Sequence, residues 1–212
     1  MSASVAKTGG TGVHALWCPT GHSHDSIATR TLGFWLYMLS DAMMFTALFA
    51  AYVVLSHTVN MAGGPTAADV SHPLAAYGET VWIFSSVLAY GFAMMGLKRG
   101  SRAGVLTGIG AALLLAALFL AADVREIAQL FSQGATPERS GFLSAFFTLV
   151  FYHALHVVVG IVWMLVMVVQ VAYSGFTEKV VYRLLNLKLF WHFQAVMWVF
   201  MFTFLYLRGS IV

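Results

Sequence analysis

Leu189-Phe190-Trp191-His192-Phe193-Gln194-Ala195-Val196-Met197-Trp198-Val199-Phe200 is the stretch that decides what kind of protein this is. It lies inside an apolar run over 187–207, about the twenty residues a helix needs to cross a hydrocarbon layer ~30 Å thick. His192 and Gln194 interrupt the run. Both side chains are costly against lipid tails, so in such a span they face protein or a cavity. Four more runs of the same character precede it, over 31–57, 75–97, 103–131 and 140–173. The expected fold is therefore all-α: a polytopic membrane protein with five transmembrane helices, a bundle over 30–212 and a tail over 1–29.

Composition agrees. Of 212 residues, 60% are hydrophobic and 9% charged, with a mean hydropathy of +0.82. A soluble domain carries roughly a quarter charged residues. Five spans and short connections leave no length for a separate soluble domain. The net charge of +3 is no sign of nucleic-acid binding, because the basic residues sit at helix ends. A single cysteine, Cys18, excludes an internal disulfide.

The tail is rich in Gly, Ser, Thr and His, without an apolar run long enough for a signal-peptide core. His14, Cys18, His22 and His24 are residue types that bind zinc or copper. Their irregular spacing favours a solvated tail with scattered histidines. Lys7, Arg30, Lys98, Arg99, Arg102, Lys179, Arg183 and Lys188, eight of the eleven basic residues, fall on one side of the membrane. Arg125, Arg139 and Arg208 fall near the other. Cytoplasmic loops carry the Lys/Arg excess, so the N-terminus is expected inside and the C-terminus outside. Gly104, Gly108 and Ala112 put a small residue every fourth position of the third span, a pattern that lets backbones approach. No repeat relates the two halves, which argues against an inverted-repeat transporter.

The polar residues inside the spans are the candidate site residues. Asp41 falls near mid-bilayer, where an aspartate costs ~2.5–3.5 kcal/mol on insertion scales. Two readings stand: a carboxylate that handles protons or contacts lipid, and a neutral one hydrogen-bonded across a helix contact. Glu79, about one turn into the second span, is expected to snorkel to the interface and complement the helix dipole. Asp123, Arg125 and Glu126 end the third span near the outer surface, with Asp123 and Glu126 sharing a helix face. They read as an interfacial charge cluster, although Asp123 is deep enough to pair with another helix. His153 and His156 share a face of the fourth span. With His192 they raise the possibility of haem or metal ligation within the spans, yet a bis-histidine haem needs ligands from opposite sides, one from the fourth span and one from the fifth. Hydrogen-bonded histidines at helix contacts are the favoured reading, with Trp191 and Phe193 as packing residues. No nucleophile–base pair, P-loop or phosphate cradle is present, so no catalytic site is expected in this chain.

Six motifs then occur in order: Leu32-Gly33-Phe34-Trp35-Leu36-Tyr37-Met38-Leu39-Ser40-Asp41; Gly63-Gly64-Pro65-Thr66; Gly78-Glu79-Thr80; Arg139-Ser140-Gly141-Phe142-Leu143-Ser144-Ala145-Phe146-Phe147; His153-Ala154-Leu155-His156-Val157; and Trp191-His192-Phe193. From about residue 30 to the end the chain resembles subunit III of haem-copper terminal oxidases, most of all the cytochrome o ubiquinol oxidase form. The resemblance implies an accessory subunit of a proton-pumping ubiquinol oxidase in the bacterial cytoplasmic (inner) membrane. Such a subunit holds no cofactor; haem and copper belong to subunit I, its direct partner, with subunits II and IV in the same complex. Phospholipid binding, assembly and sustained proton uptake are the implied roles, with Arg30, Trp35, His153 and His156 as candidate lipid-cleft residues. Asp41 matches the family's intramembrane carboxylate; Glu79, Asp123 and Glu126 match further acidic positions. Two departures stand out. Ala154 replaces a common glycine, and Gln194-Ala195 replaces a Val or Leu followed by Asp. A cytochrome c oxidase subunit III and a haem-binding membrane anchor are the competing readings.

Overall fold

The computed structural model describes residues 24–209, apart from the side chains of 24–31 and Thr58. His14, Cys18 and His22, the side chains of His24 and Arg30, and most of the tail lie outside the described residues. Everything regular among the described residues is helical. The elements are α1 (His24–Leu55), a short α2 (Ala67–Val70), α3 (Pro73–Lys98), α4 (Arg102–Ser132), α5 (Gly141–Ser174) and α6 (Glu178–Met201), which runs on as a π-helical segment, Phe202–Leu207. Five of these helices are long and apolar enough to cross a membrane.

Local sequence explains the boundaries. Pro73 opens α3, where a missing N–H costs nothing. At the far end of α3, Gly100 adopts φ +69, so the chain reverses tightly and Ser101 caps the start of α4. The hydroxyl oxygens of Ser101, Ser140 and Thr177 accept from the backbone N–H groups of Gly104 (3.1 Å), Leu143 (3.1 Å) and Val180 (3.4 Å). Each satisfies a donor left free at a helix start.

The last span differs from its expected limits. The apolar run begins at 187, but α6 begins at Glu178, so the connection from α5 is only Gly175-Phe176-Thr177. Lys179, Arg183 and Lys188 lie on the helix and face outward, while Val180, Val181, Leu184 and Leu187 are buried. Outward charges depress the mean hydropathy of a stretch that is buried on one side. At the other end of the chain, α1 starts at His24, inside the segment expected to be tail.

α3 and α4 pack most closely, α5 lies against α1, α4 and α6, and α1 rests chiefly on α5 and α6. The small-residue stripe makes the α3–α4 seam. A Cβ on Gly108 would lie 2.6 Å from the Ala93 backbone nitrogen, and one on Gly96 would lie 2.7 Å from Gly104. Along α5 the close approach falls at Gly160, where a Cβ would meet the Trp191 ring at 2.6 Å; Ala154 is only half-buried. α6 is tied to α3 by three polar links. The Trp191 indole N–H donates to Ser86 Oγ (3.0 Å), whose hydroxyl donates to the Ala112 carbonyl of α4 (2.8 Å). The Trp198 indole N–H donates to Thr80 Oγ1 (2.9 Å), and the Tyr90 hydroxyl donates to the Leu184 carbonyl (2.9 Å).

Candidate functional site

Asp41 lies roughly 14 Å along α1 from Leu32 and 21 Å from Leu55, at ~1.5 Å per residue, hence near the middle of the span. It is buried and it is not alone. The Tyr152 hydroxyl donates to Asp41 Oδ1 at 2.8 Å, and His156 Nε2 lies 3.2 Å from the same oxygen. His156 Nδ1 lies 2.7 Å from the Tyr152 carbonyl. A carbonyl only accepts, so Nδ1 carries the proton of that bond. Nε2 and Asp41 then bond through one further proton, held on the nitrogen or on the carboxyl group. The pair is neutral overall in either form, which is how a mid-membrane carboxylate escapes its solvation penalty. Phe45 (ring centroids 5.6 Å) and Phe190 (6.2 Å) flank the imidazole.

His153 belongs to a different contact. Its Nε2 lies 3.2 Å from the Gln194 carbonyl of α6, so Nε2–H donates. Phe119 and Trp198 pack on its ring at 5.9 and 5.6 Å. His192 Nδ1 donates to its own helix, at Lys188 O (2.8 Å), and its side chain lines a groove with Trp35, Leu185, Lys188 and Leu189. A haem does not fit this arrangement. His156 is committed at both nitrogens, His153 reaches the α6 backbone through Nε2, and aromatic rings fill the space around both. No group of His, Cys, Asp and Glu among the described residues is set to hold a metal ion. Trp191 is fully buried, and Gln194 is buried with neither amide atom hydrogen-bonded.

The other acids form a second centre. Glu79 of α3 meets Asp123 and Glu126 of α4, and all three are buried, at 3%, 1% and 6% exposure. Glu79 was expected to reach outward to the interface; instead it faces α4, where the acids and the fully buried Tyr206 of the π-helical segment surround it. The shared face of Asp123 and Glu126 is as expected, but it turns inward rather than to the membrane surface. Tyr152, Tyr206, Ser86 and Thr80 carry the polar contacts that sequence reasoning passed over. Tyr152 had a legible signal: it stands one turn before His156, on the same side of α5.

The geometry defines a class first: a five-span helical membrane protein whose polar centres are buried between helices, with no group of His, Cys, Asp and Glu among the described residues set to hold a metal ion. Residues 18–210 match the family described as cytochrome c oxidase subunit III, and the chain belongs to that family. It is 37% identical over 211 residues to cytochrome bo(3) ubiquinol oxidase subunit 3 of Pseudomonas aeruginosa, covering 100% of both chains. It is 42% identical over 186 residues to the protein of that name from Pseudomonas putida (88% of this chain, 89% of the relative). It is also 32% identical over 182 residues to cytochrome c oxidase subunit 3 of a Bacillus species (86% and 87%).

Proposed function

We propose that this chain is the third, accessory subunit of a ubiquinol oxidase, seated in the bacterial inner membrane beside the subunit that holds haem and copper. The observation that carries this reading is full-length similarity, at 37% identity, to a cytochrome bo(3) ubiquinol oxidase subunit 3. Its own residues support assembly rather than electron transfer, since Asp41, Ser86, Tyr90, Tyr152, His153, Trp191 and Trp198 make hydrogen bonds across helix contacts. Subunit I is the direct partner, with subunits II and IV completing the complex. The Lys/Arg asymmetry supports an inside N-terminus and an outside C-terminus.

Phospholipid is the proposed small ligand. The groove between α1 and α6 measures about 370 Å³, lined by Trp35, Leu185, Lys188, Leu189 and His192. Its leucines and indole suit an acyl chain, and Lys188 suits a phosphate at the cytoplasmic end. Arg30, on the same side of the membrane, is proposed to join it. Asp41, with Tyr152 and His156, is the candidate for a proton-holding or stabilising role.

Similarity to a Bacillus cytochrome c oxidase subunit supports a second reading in which the complex takes electrons from cytochrome c. The two separate on one experiment. Affinity purification through this chain should bring down a haem-copper subunit, and the complex should consume oxygen with ubiquinol and not with reduced cytochrome c. The reverse preference selects the second reading, and purification without any haem protein refutes both.

A further inference from the structure

We propose that the pocket between the Pro73 end of α3 and the Ser132 end of α4 binds the headgroup of a phosphatidylethanolamine molecule, its ammonium on Glu79 and Glu126 and its phosphate on Arg125. The pocket measures about 340 Å³, and Glu79, Trp82, Arg125, Glu126 and Gln129 line it beside Gly78. It shares no lining residue with the α1–α6 groove and depends only on α3 and α4 crossing a membrane, so it stands apart from the choice of electron donor.

Unmet bonding capacity points to the ligand. Glu126 is 6% exposed and faces the Glu79 carboxyl and the Tyr206 hydroxyl, yet neither of its carboxyl oxygens completes a hydrogen bond of normal geometry; Glu79, at 3%, leaves Oε2 without a partner. Buried acceptors left unmet cost their full desolvation, and a donor with several N–H groups and a positive charge answers both. Asp123 lies behind them, 1% exposed, its Oδ2 likewise without a partner. At the mouth, Arg125 is exposed, and its guanidinium makes no ion pair with any described residue. Buried acids and an uncommitted guanidinium on one pocket make a dipolar receptor, which a zwitterion with ammonium and phosphate a few ångströms apart complements.

Depth agrees with a headgroup. Glu79 is roughly 9 Å along α3 from Pro73, and Glu126 roughly 9 Å along α4 from Ser132, at ~1.5 Å per residue. A 26-residue helix is ~39 Å long, so with a hydrocarbon layer of ~30 Å the acids fall within about one turn of its edge. Trp82, 39% exposed, is the side chain that favours that level. A quaternary choline has no N–H to donate, and a glycerol headgroup carries no positive charge. No set of acids among the described residues is placed to hold a metal ion, whereas an ammonium needs no such convergence.

The full chain, purified in mild detergent with whatever subunits accompany it, should be delipidated and offered phosphatidylethanolamine, phosphatidylcholine or phosphatidylglycerol, with bound lipid counted by native mass spectrometry. The wild type should retain one phosphatidylethanolamine roughly tenfold more tightly than either competitor, the scale of one lost charge-assisted hydrogen bond. Glu126→Gln should remove that preference, while lipid in the α1–α6 groove stays. Arg125→Gln alters an exposed side chain that the fold does not use, and should weaken phosphatidylethanolamine and phosphatidylcholine alike. Equal retention of the three lipids by the wild type, or an unchanged preference in both variants, would overturn the assignment. So would a photo-crosslink from position 129 to a polypeptide in the intact complex, which would give the pocket to a protein partner.

Discussion

At Asp41 the protein solves a problem that any mid-membrane acid poses, and it does so with groups from a single neighbouring helix. Tyr152 and His156 of α5 both reach Oδ1, so a charge that would be isolated on α1 becomes half of a neutral pair. Asp41→Asn puts either the amide oxygen or the amide nitrogen where Oδ1 stood, so it accepts from the Tyr152 hydroxyl or donates to a neutral His156, while removing the shared proton. The variant should assemble and melt close to wild type. If the proton serves uptake by the partner subunit, the pH dependence or lifetime of turnover should fall; unchanged values would leave Asp41 a purely structural residue. Asp41→Leu strands both partners and should cost about 1–2 kcal/mol of stability, read as a lower melting temperature of the purified chain. The sequence displays Asp41 and His156 separately, but nothing in their spacing joins positions on α1 and α5. That pairing is set by which face α1 turns to α5, a property of packing rather than of local pattern. The same blindness affected Glu79: a helix-end acid reads as a snorkelling residue unless one knows that Asp123, Glu126 and Tyr206 stand opposite.

Among the elements, the α3–α4 hairpin depends most on the absence of side chains. Gly108→Ala places a methyl group 2.6 Å from the Ala93 nitrogen; the obstacle is backbone and cannot swing aside. The two helices must separate, and the change should destabilise the chain by about 1–3 kcal/mol; a melting temperature equal to wild type would show that the seam tolerates it. This contact was readable beforehand, because Gly104, Gly108 and Ala112 repeat with the period of a helix face. The start of α6 was not, since Lys179, Arg183 and Lys188 mask the buried Val180, Val181, Leu184 and Leu187 from any average over hydropathy. The loop element α2 has its own pH dependence. Asp69 Oδ2 accepts from both the Thr66 N–H and the Thr66 hydroxyl at 2.8 Å, and the backbone bond foremost holds this carboxyl below its ordinary value. A depressed folded value means the ionised form is the stabilising one. Its contribution is complete above the ordinary carboxylate range and is lost as pH falls through the folded value. The melting difference between wild type and Asp69→Ala should therefore be present at neutral pH and vanish in acid; a difference that survives acid would assign Asp69 a packing role instead.

On the scale of the whole molecule, the number of spans and the family were legible, and the internal contacts were not. Five apolar runs separated by Gly, Pro and basic clusters translate directly into five helices, because bilayer thickness sets their length. Gln194 shows the limit of that reading: its position on α6 was clear, yet only packing reveals that the amide is buried while its backbone carbonyl receives His153. The proposed orientation rests on the eight-to-three distribution of basic residues, and on it a reporter fused after Val212 should be active only if it works outside the cytoplasm; cytoplasmic activity there would contradict the proposal. The central claim is that this chain supports an oxidase without taking part in its electron transfer. Its most direct test compares the purified complex with and without this subunit, measuring haem and copper content, initial ubiquinol oxidation and the decay of activity over repeated turnovers. Haem and copper should be unchanged and the first turnovers close to normal, with faster loss of activity when the chain is absent. Abolition of the first turnovers in a complex that still contains its haem and copper would contradict the account.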